Sequence, residues 1–246
     1  MDLQLNGKSA LVTGAGSGIG RQTALLLAAE GVHVIGTDLK FDPDDTELAA
    51  ACARQEALSV TDRAAMARVL QQARDQFGAL HILINNAGIA RNVPAPLMKD
   101  GEVEQLLEVN LRAVFDLSRD YFALQKKTGG GAFVNVASVL GMIGAPLASV
   151  YGATKGAVIS LTRSLAMEWV KYNFRVNAVC PGLIETPMTV QVQKNKMMRE
   201  TNLKDIPMQR FGHPDEIARA ILFFASPLSS FITGQHLAVD GGFTAK

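Results

Sequence analysis

"LVTGAGSGIGRQTA", residues 11–24, sets a short apolar run directly against glycines at 14, 16, 18 and 20. A dinucleotide fingerprint G-x-G-x-x-G begun at Gly14 requires a glycine at position 19, where Ile19 stands. Gly14, Gly18 and Gly20 fit a different spacing, T-G-x-x-x-G-x-G, begun at Thr13. The physical demands are similar. One glycine permits a tight turn, one lets the backbone approach a phosphate at a helix N-terminus, and one lets helix and strand pack closely. The stretch therefore predicts a strand–turn–helix unit built to cradle a pyrophosphate.

Outward from this unit, short apolar runs alternate with longer amphipathic stretches. Strands are expected at 8–13, 32–37, 56–60, 80–84, 132–137, 175–180 and 236–239, with helices at 18–30, 47–54, 62–77, 101–128, 151–172 and 214–225. Runs such as "HILI", "AFVNVA" and "HLAV" are too apolar for a sheet with one wet face. Repeated strand–helix–strand units imply right-handed crossovers and a doubly wound, Rossmann-type α/β sheet. No linker or low-complexity tract interrupts the pattern, so residues 1–246 read as a single domain. One segment breaks the alternation: 187–211, Met-rich and amphipathic, reads as a mobile lid over a ligand crevice or as a helical hairpin.

The 246 residues carry 24 basic and 23 acidic side chains, which gives no electrostatic reason to expect nucleic acid or an anionic membrane as partner. No apolar run is long enough to span a bilayer, and the N-terminus lacks a signal-like core, so a cytoplasmic protein is expected. Cys52 and Cys180 lie far apart, and His33, His81, His213 and His236 show no ligand spacing, so no metal site is expected.

Asp38 ends the second expected strand, 18 residues after Gly20. A carboxylate there accepts hydrogen bonds from adenosine ribose hydroxyls and repels a 2′-phosphate, favouring NAD over NADP, although Lys40 lies two residues beyond. Tyr151 and Lys155 are four apart on an expected helix and share a face. A nearby ammonium favours the phenolate and draws the Tyr151 pKa down from its usual value near 10 toward working pH. Ser138, at a strand end 13 residues upstream of Tyr151, is placed to orient a substrate oxygen.

Taken in order, "TGAGSGIG" (13–20), "NNAG" (85–88), Asn110 in "VNLRAVF", Ser138 after "FVNVA", "YGATK" (151–155), "PG" (181–182), Thr186 in "IETPM" and "VDGGF" span nearly the whole chain. With these motifs the chain resembles the short-chain dehydrogenase/reductase family. The resemblance implies a seven-stranded parallel sheet and NAD(H)-dependent interconversion of secondary alcohols and ketones. It implies Tyr151 as general acid/base, assisted by Lys155 and Ser138, with Asn110 anchoring a water in a proton relay. It places Gly14, Ser17, Gly18 and Ile19 on the pyrophosphate, Asp38 on the ribose, Asn86 beside the cofactor, and Ile184 and Thr186 on the nicotinamide carboxamide. Where relatives have an Asp-Val pair beside the adenine, this chain has Ser59–Val60. The family also implies a homotetramer. A dinucleotide sensor on the same fold is the competing reading, disfavoured because a sensor has no need of the acid–base set. The substrate stays open among apolar secondary alcohols, 3-hydroxyacyl compounds, polyols and steroid-like rings.

Overall fold

A computed structural model describes residues 2–245. Seven parallel strands form one sheet in the order β3-β2-β1-β4-β5-β6-β7. They are β1 (Ser9–Thr13), β2 (His33–Asp38), β3 (Cys52–Ala57), β4 (Ile82–Asn85), β5 (Gly131–Val136), β6 (Phe174–Pro181) and β7 (His236–Val239). The chain works outward from β1 to β3, then crosses back to β4 on the other side of β1. The carboxyl ends of β1 and β4 therefore flank the switch point where doubly wound folds bind ligands.

Alternation along each strand builds two cores. Ala10, Val12, Ile82, Ile84 and Val134 face one side, packing with Leu27 of α1 (Gly18–Ala29) and Ile217 and Ile221 of α9 (Pro214–Ala225). Leu11, Leu83 and Phe133 face the other. There they meet Leu70 of α3 (Arg63–Phe77), Leu117 and Tyr121 of α5 (Ala113–Gln125), and Trp169 of α6 (Ser149–Trp169). Each such Leu, Ile or Phe contributes about 1.5–3 kcal/mol by leaving water. Both faces are covered, which is why these strands read as continuous apolar runs.

Two expected boundaries shift. The third strand occupies Cys52–Ala57 rather than 56–60, and the preceding α2 (Thr46–Ala51) is a short helix capped by Asp45, whose side chain accepts from the Leu48 amide. The Ala-rich run around Cys52 has helical propensity, but pairing with β2 overrides it, with a register shift at Val34/Ile35. The expected helix 101–128 is also not uniform. α4 (Asp100–Leu107) and α5 are joined through a π-helical turn, Glu108–Arg112. The 187–211 segment holds two short helices, α7 (Val190–Lys194) and α8 (Lys196–Asp205). Its ends meet where Ile184 bridges Gly212 and the Glu185 N–H donates to the Gly212 carbonyl at 2.9 Å.

Candidate active site

The glycine turn is tied to the switch point by its neighbours. Thr13 Oγ1 accepts from the backbone N–H groups of Asn86 and Ala87, each at 3.0 Å. Asn86 Nδ2 donates back to the carbonyls of Thr13 and Gly14, at 2.9 and 3.1 Å. Asn86 therefore sits at the glycine turn, where its side-chain amide fixes the loop. Gly14 takes φ +67°, and a Cβ on Gly20 would lie 2.0 Å from the Gly14 carbonyl, so neither tolerates a side chain. Ser17 is the N-cap of α1 yet makes no side-chain cap bond, which leaves the first-turn amides of a 12-residue helix open to an anion. Ile19, the second residue of α1, packs half-buried against the core. A Cβ-free cradle and uncapped amides fit a pyrophosphate.

Asp38 lies beside this turn at the end of β2. Its two oxygens accept from the Gly16 and Leu39 amides, at 2.8 and 2.7 Å, so the carboxylate is held rigidly against the loop. The Leu58 N–H donates to the Asp38 carbonyl at 2.7 Å, bringing the residues after β3 alongside. There Ser59 Oγ pairs with Thr61 Oγ1 at 2.7 Å and accepts from the Thr61 amide, with half-buried Val60 between them. Ser59 and Val60 thus stand past the strand, not within it.

At the carboxyl end of β5, Ser138 stands close enough to the Tyr151 hydroxyl to favour its ionised form. Ser138 Oγ accepts from the Leu140 amide at 3.1 Å, which starts a 3₁₀ turn and aims the hydroxyl. Tyr151 and Lys155 share one face of α6, with Nζ 5.9 Å from the phenol ring centroid. Lys155 is only 5% exposed and donates to the Val136 carbonyl at 2.8 Å. Burial lowers its pKa to about 8. Burial also raises the Tyr151 phenol above its usual value, and the nearby Ser138 pulls the other way. Burial of the ring opposes the lowering expected from Lys155, because it removes the phenolate from water.

Asn110 lies in the π-helical turn, fully buried. Its Oδ1 accepts from the Ile89 amide and its Nδ2 donates to the Ile89 carbonyl, both at 2.9 Å. Nδ2 also reaches Thr154 Oγ1 at 3.3 Å, and Thr154 donates to the Tyr151 carbonyl at 2.7 Å. Asn110 thus ties the loop after β4 to the helix that carries Tyr151 and Lys155. Sequence reasoning gave no part to Thr13, Gly88 or Thr154. A Cβ on Gly88 would stand 3.3 Å from Asn110 Oδ1 and 3.4 Å from Lys155 Nζ, so this glycine lets the two approach. "NNAG" and "YGATK" contained both Gly88 and Thr154, but nothing in one dimension said what they touch. Ile184 is buried in the core, and Thr186 caps the 3₁₀ turn that opens the 187–211 segment, lying against Gly18.

A family model described as enoyl-(acyl carrier protein) reductase matches residues 14–244. A 3-oxoacyl-(acyl-carrier-protein) reductase of Thermotoga maritima is 41% identical over 98% of this chain and 99% of its own. The chain is a short-chain dehydrogenase/reductase. A galactitol 2-dehydrogenase of Cereibacter sphaeroides is 42% identical, covering 98% of this chain and 96% of its own. A crystal structure from Agrobacterium tumefaciens, described as a 2-deoxy-D-gluconate 3-dehydrogenase with bound NADP, superposes with a TM-score of 0.92 at 33% identity. It covers 100% of this chain and 99% of that one. The chain is thus an oxidoreductase of a family whose members act on alcohol and ketone groups with nicotinamide cofactors. No helix among the described residues is long and apolar enough to cross a membrane.

Proposed function

We propose that this dehydrogenase uses NAD(H) to interconvert a secondary alcohol and its ketone, with Tyr151 as general acid/base. The observation that carries the reading is the meeting of Ser138, Tyr151 and buried Lys155 at the end of β5. When bound, the nicotinamide supplies or accepts the hydride. In reduction, Tyr151 gives its phenolic proton to the substrate oxygen while Ser138 donates a hydrogen bond to that oxygen. In oxidation, Tyr151 as phenolate takes the hydroxyl proton. The raised phenol pKa suits the acid role. Lys155, with a pKa of about 8, remains mostly protonated at neutral pH and favours the phenolate once the proton has gone. Asn110 holds the surrounding backbone and reaches Tyr151 through Thr154, which supports a relay by positioning.

For the cofactor, Gly14, Ser17, Gly18 and Ile19 are assigned to the pyrophosphate through the turn and first-turn amides of α1. Asp38 is assigned to the ribose, Ser59 and Val60 to the adenine edge, Asn86 to the turn beside the cofactor, and Ile184 and Thr186 to the carboxamide. The pinned Asp38 carboxylate supports NAD, because a 2′-phosphate would meet a charge that cannot swing away. The reading extends to one catalytic domain over residues 1–246 with 187–211 as a mobile lid, in a cytoplasmic homotetramer. Fluorescence titration of NADH and NADPH tests the cofactor assignment. Tighter NADH binding is expected, and tighter NADPH binding overturns it.

A further inference from the structure

Three segments leave the carboxyl ends of the adjacent strands β4, β5 and β6 and surround the Ser138–Tyr151 pair: 86–99, 137–148 and 182–211. Half of the large apolar side chains left exposed among the described residues lie on them, including Leu97, Met142, Ile143, Leu147, Met188 and Met198. From Val139 to Ala148, between Ser138 and α6, no side chain can make a hydrogen bond, apart from weakly polar sulfur. Gly141 packs against the Lys155 and Gly156 backbone, and a Cβ on Gly152 would lie 2.7 Å from the Leu140 carbonyl. This apolar loop therefore rides directly on the turn of α6 that carries Tyr151.

Leu147 is the most telling residue of the loop. It takes φ +65°, a left-handed conformation that costs a leucine, while leaving its side chain 46% exposed. The Val93 amide donates to the Leu147 carbonyl at 3.1 Å, stitching the loop after β4 to the loop after β5. The strain serves no burial of the leucine itself, and its side chain is left partly exposed on the loop that follows Ser138. Some of the cations nearby have other partners. Arg91 donates to the Ala90 carbonyl and to Gln105, Arg199 stacks over Phe211, and Lys196 faces Glu200. Lys99, Lys194 and Lys204 are exposed on the flanking segments, but none lies on the 139–148 loop.

We infer that the substrate is an uncharged, mainly apolar secondary alcohol or ketone, bound through Leu147, Met142 and Ile143. The inference rests on the oxidoreductase reading above and deepens it. A polyol lying against the 139–148 loop would set hydroxyls beside side chains that cannot pair with them, and a carboxylate would find no cation on that loop. A flexible Met-lined wall accepts apolar rings and chains of varied shape.

The test measures kcat/KM for cyclohexanol, 4-hydroxycyclohexanecarboxylate and galactitol with whichever of NAD or NADP the chain binds. Cyclohexanone binding is read in parallel from the fluorescence of the complex with the reduced cofactor. Cyclohexanol is expected to exceed both others by at least ~10-fold, the scale of discrimination an apolar pocket gives. Leu147→Gly, which keeps the left-handed backbone, is expected to raise the cyclohexanol KM and weaken cyclohexanone binding at least ~5-fold, a loss on the scale of a few methylenes. Its thermal midpoint should not fall, and its reduced-cofactor affinity should not change. Preference for galactitol, preference for the carboxylate, or turnover of none of the three overturns the inference. Failure of the oxidoreductase reading is separate and shows as absence of cofactor binding. An unchanged Leu147→Gly variant removes the leucine from substrate recognition.

Discussion

Lys155 shows how a functional side chain strains the protein that holds it. Its folded pKa of about 8 lies below the ordinary lysine value of 10.5. Below pH 8 both folded and unfolded chains carry the proton, and the cost of burying the ammonium is fully present. Between pH 8 and 10.5 the folded chain releases its proton first, so stability rises with pH. Lys155→Met should therefore be inactive yet more stable at pH 7 by about 1–3 kcal/mol. The advantage should close as pH approaches the unfolded value, and thermal melts across this range check it. Tyr151 sets a second pH dependence. On the proposed mechanism, oxidation needs the phenolate and should rise with pH, whereas reduction needs the phenol and should fall, as initial rates in each direction will show. Gly20→Ala should lose reduced-cofactor binding, because its Cβ would collide with the Gly14 carbonyl. A Gly20→Ala protein that binds normally would refute the tight-turn role. Much of this scale was legible in the sequence: Gly14, Gly20, Asp38, Ser138, Tyr151 and Lys155 were all singled out. What was not legible was direction. The pull of Lys155 on Tyr151 follows from helical spacing, but the opposing cost of burial depends on what the fold stacks above the ring.

The π-helical turn at Glu108–Arg112 was hidden because its residues satisfy the helical pattern on either side. It matters because it places Asn110 across from the Ile89 backbone and within reach of Thr154. Asn110→Ala leaves the Ile89 amide and carbonyl without these partners. It should cost about 1–3 kcal/mol, the range for unmet buried polar groups. Chemical denaturation with turnover measured alongside distinguishes this cost from loss of a relay. Activity that falls no further than the folded fraction would assign Asn110 to structure alone. The bounds of the third strand slipped for a related reason. Cys52–Ala57 is an edge strand with a mixed burial pattern, so its sequence lacks the apolar run that marked the other strands.

The central strands of the parallel sheet were legible because strands covered on both faces must be apolar throughout, whereas β3 lacks such a run and β7 leaves Leu237 exposed. Chain-to-chain assembly is less directly encoded. Phe231 stands wholly exposed in the loop before β7, with Met167 and Leu237 also exposed. Among the described residues nothing covers this apolar surface, which agrees with the proposed tetramer. Phe231→Asp should shift light scattering toward smaller species, whereas a wild-type monomer in solution would remove the tetramer from the account.

On the proposed mechanism, Tyr151 moves the proton while the rest of the crevice holds the cofactor. The most direct test compares wild type with Tyr151→Phe, measuring alcohol-dependent cofactor reduction and reduced-cofactor binding on the same preparations. Turnover is expected to fall about 10²–10⁴-fold, the range of general acid–base catalysis, with cofactor affinity preserved. A Tyr151→Phe protein that turns over at the wild-type rate would contradict this mechanism.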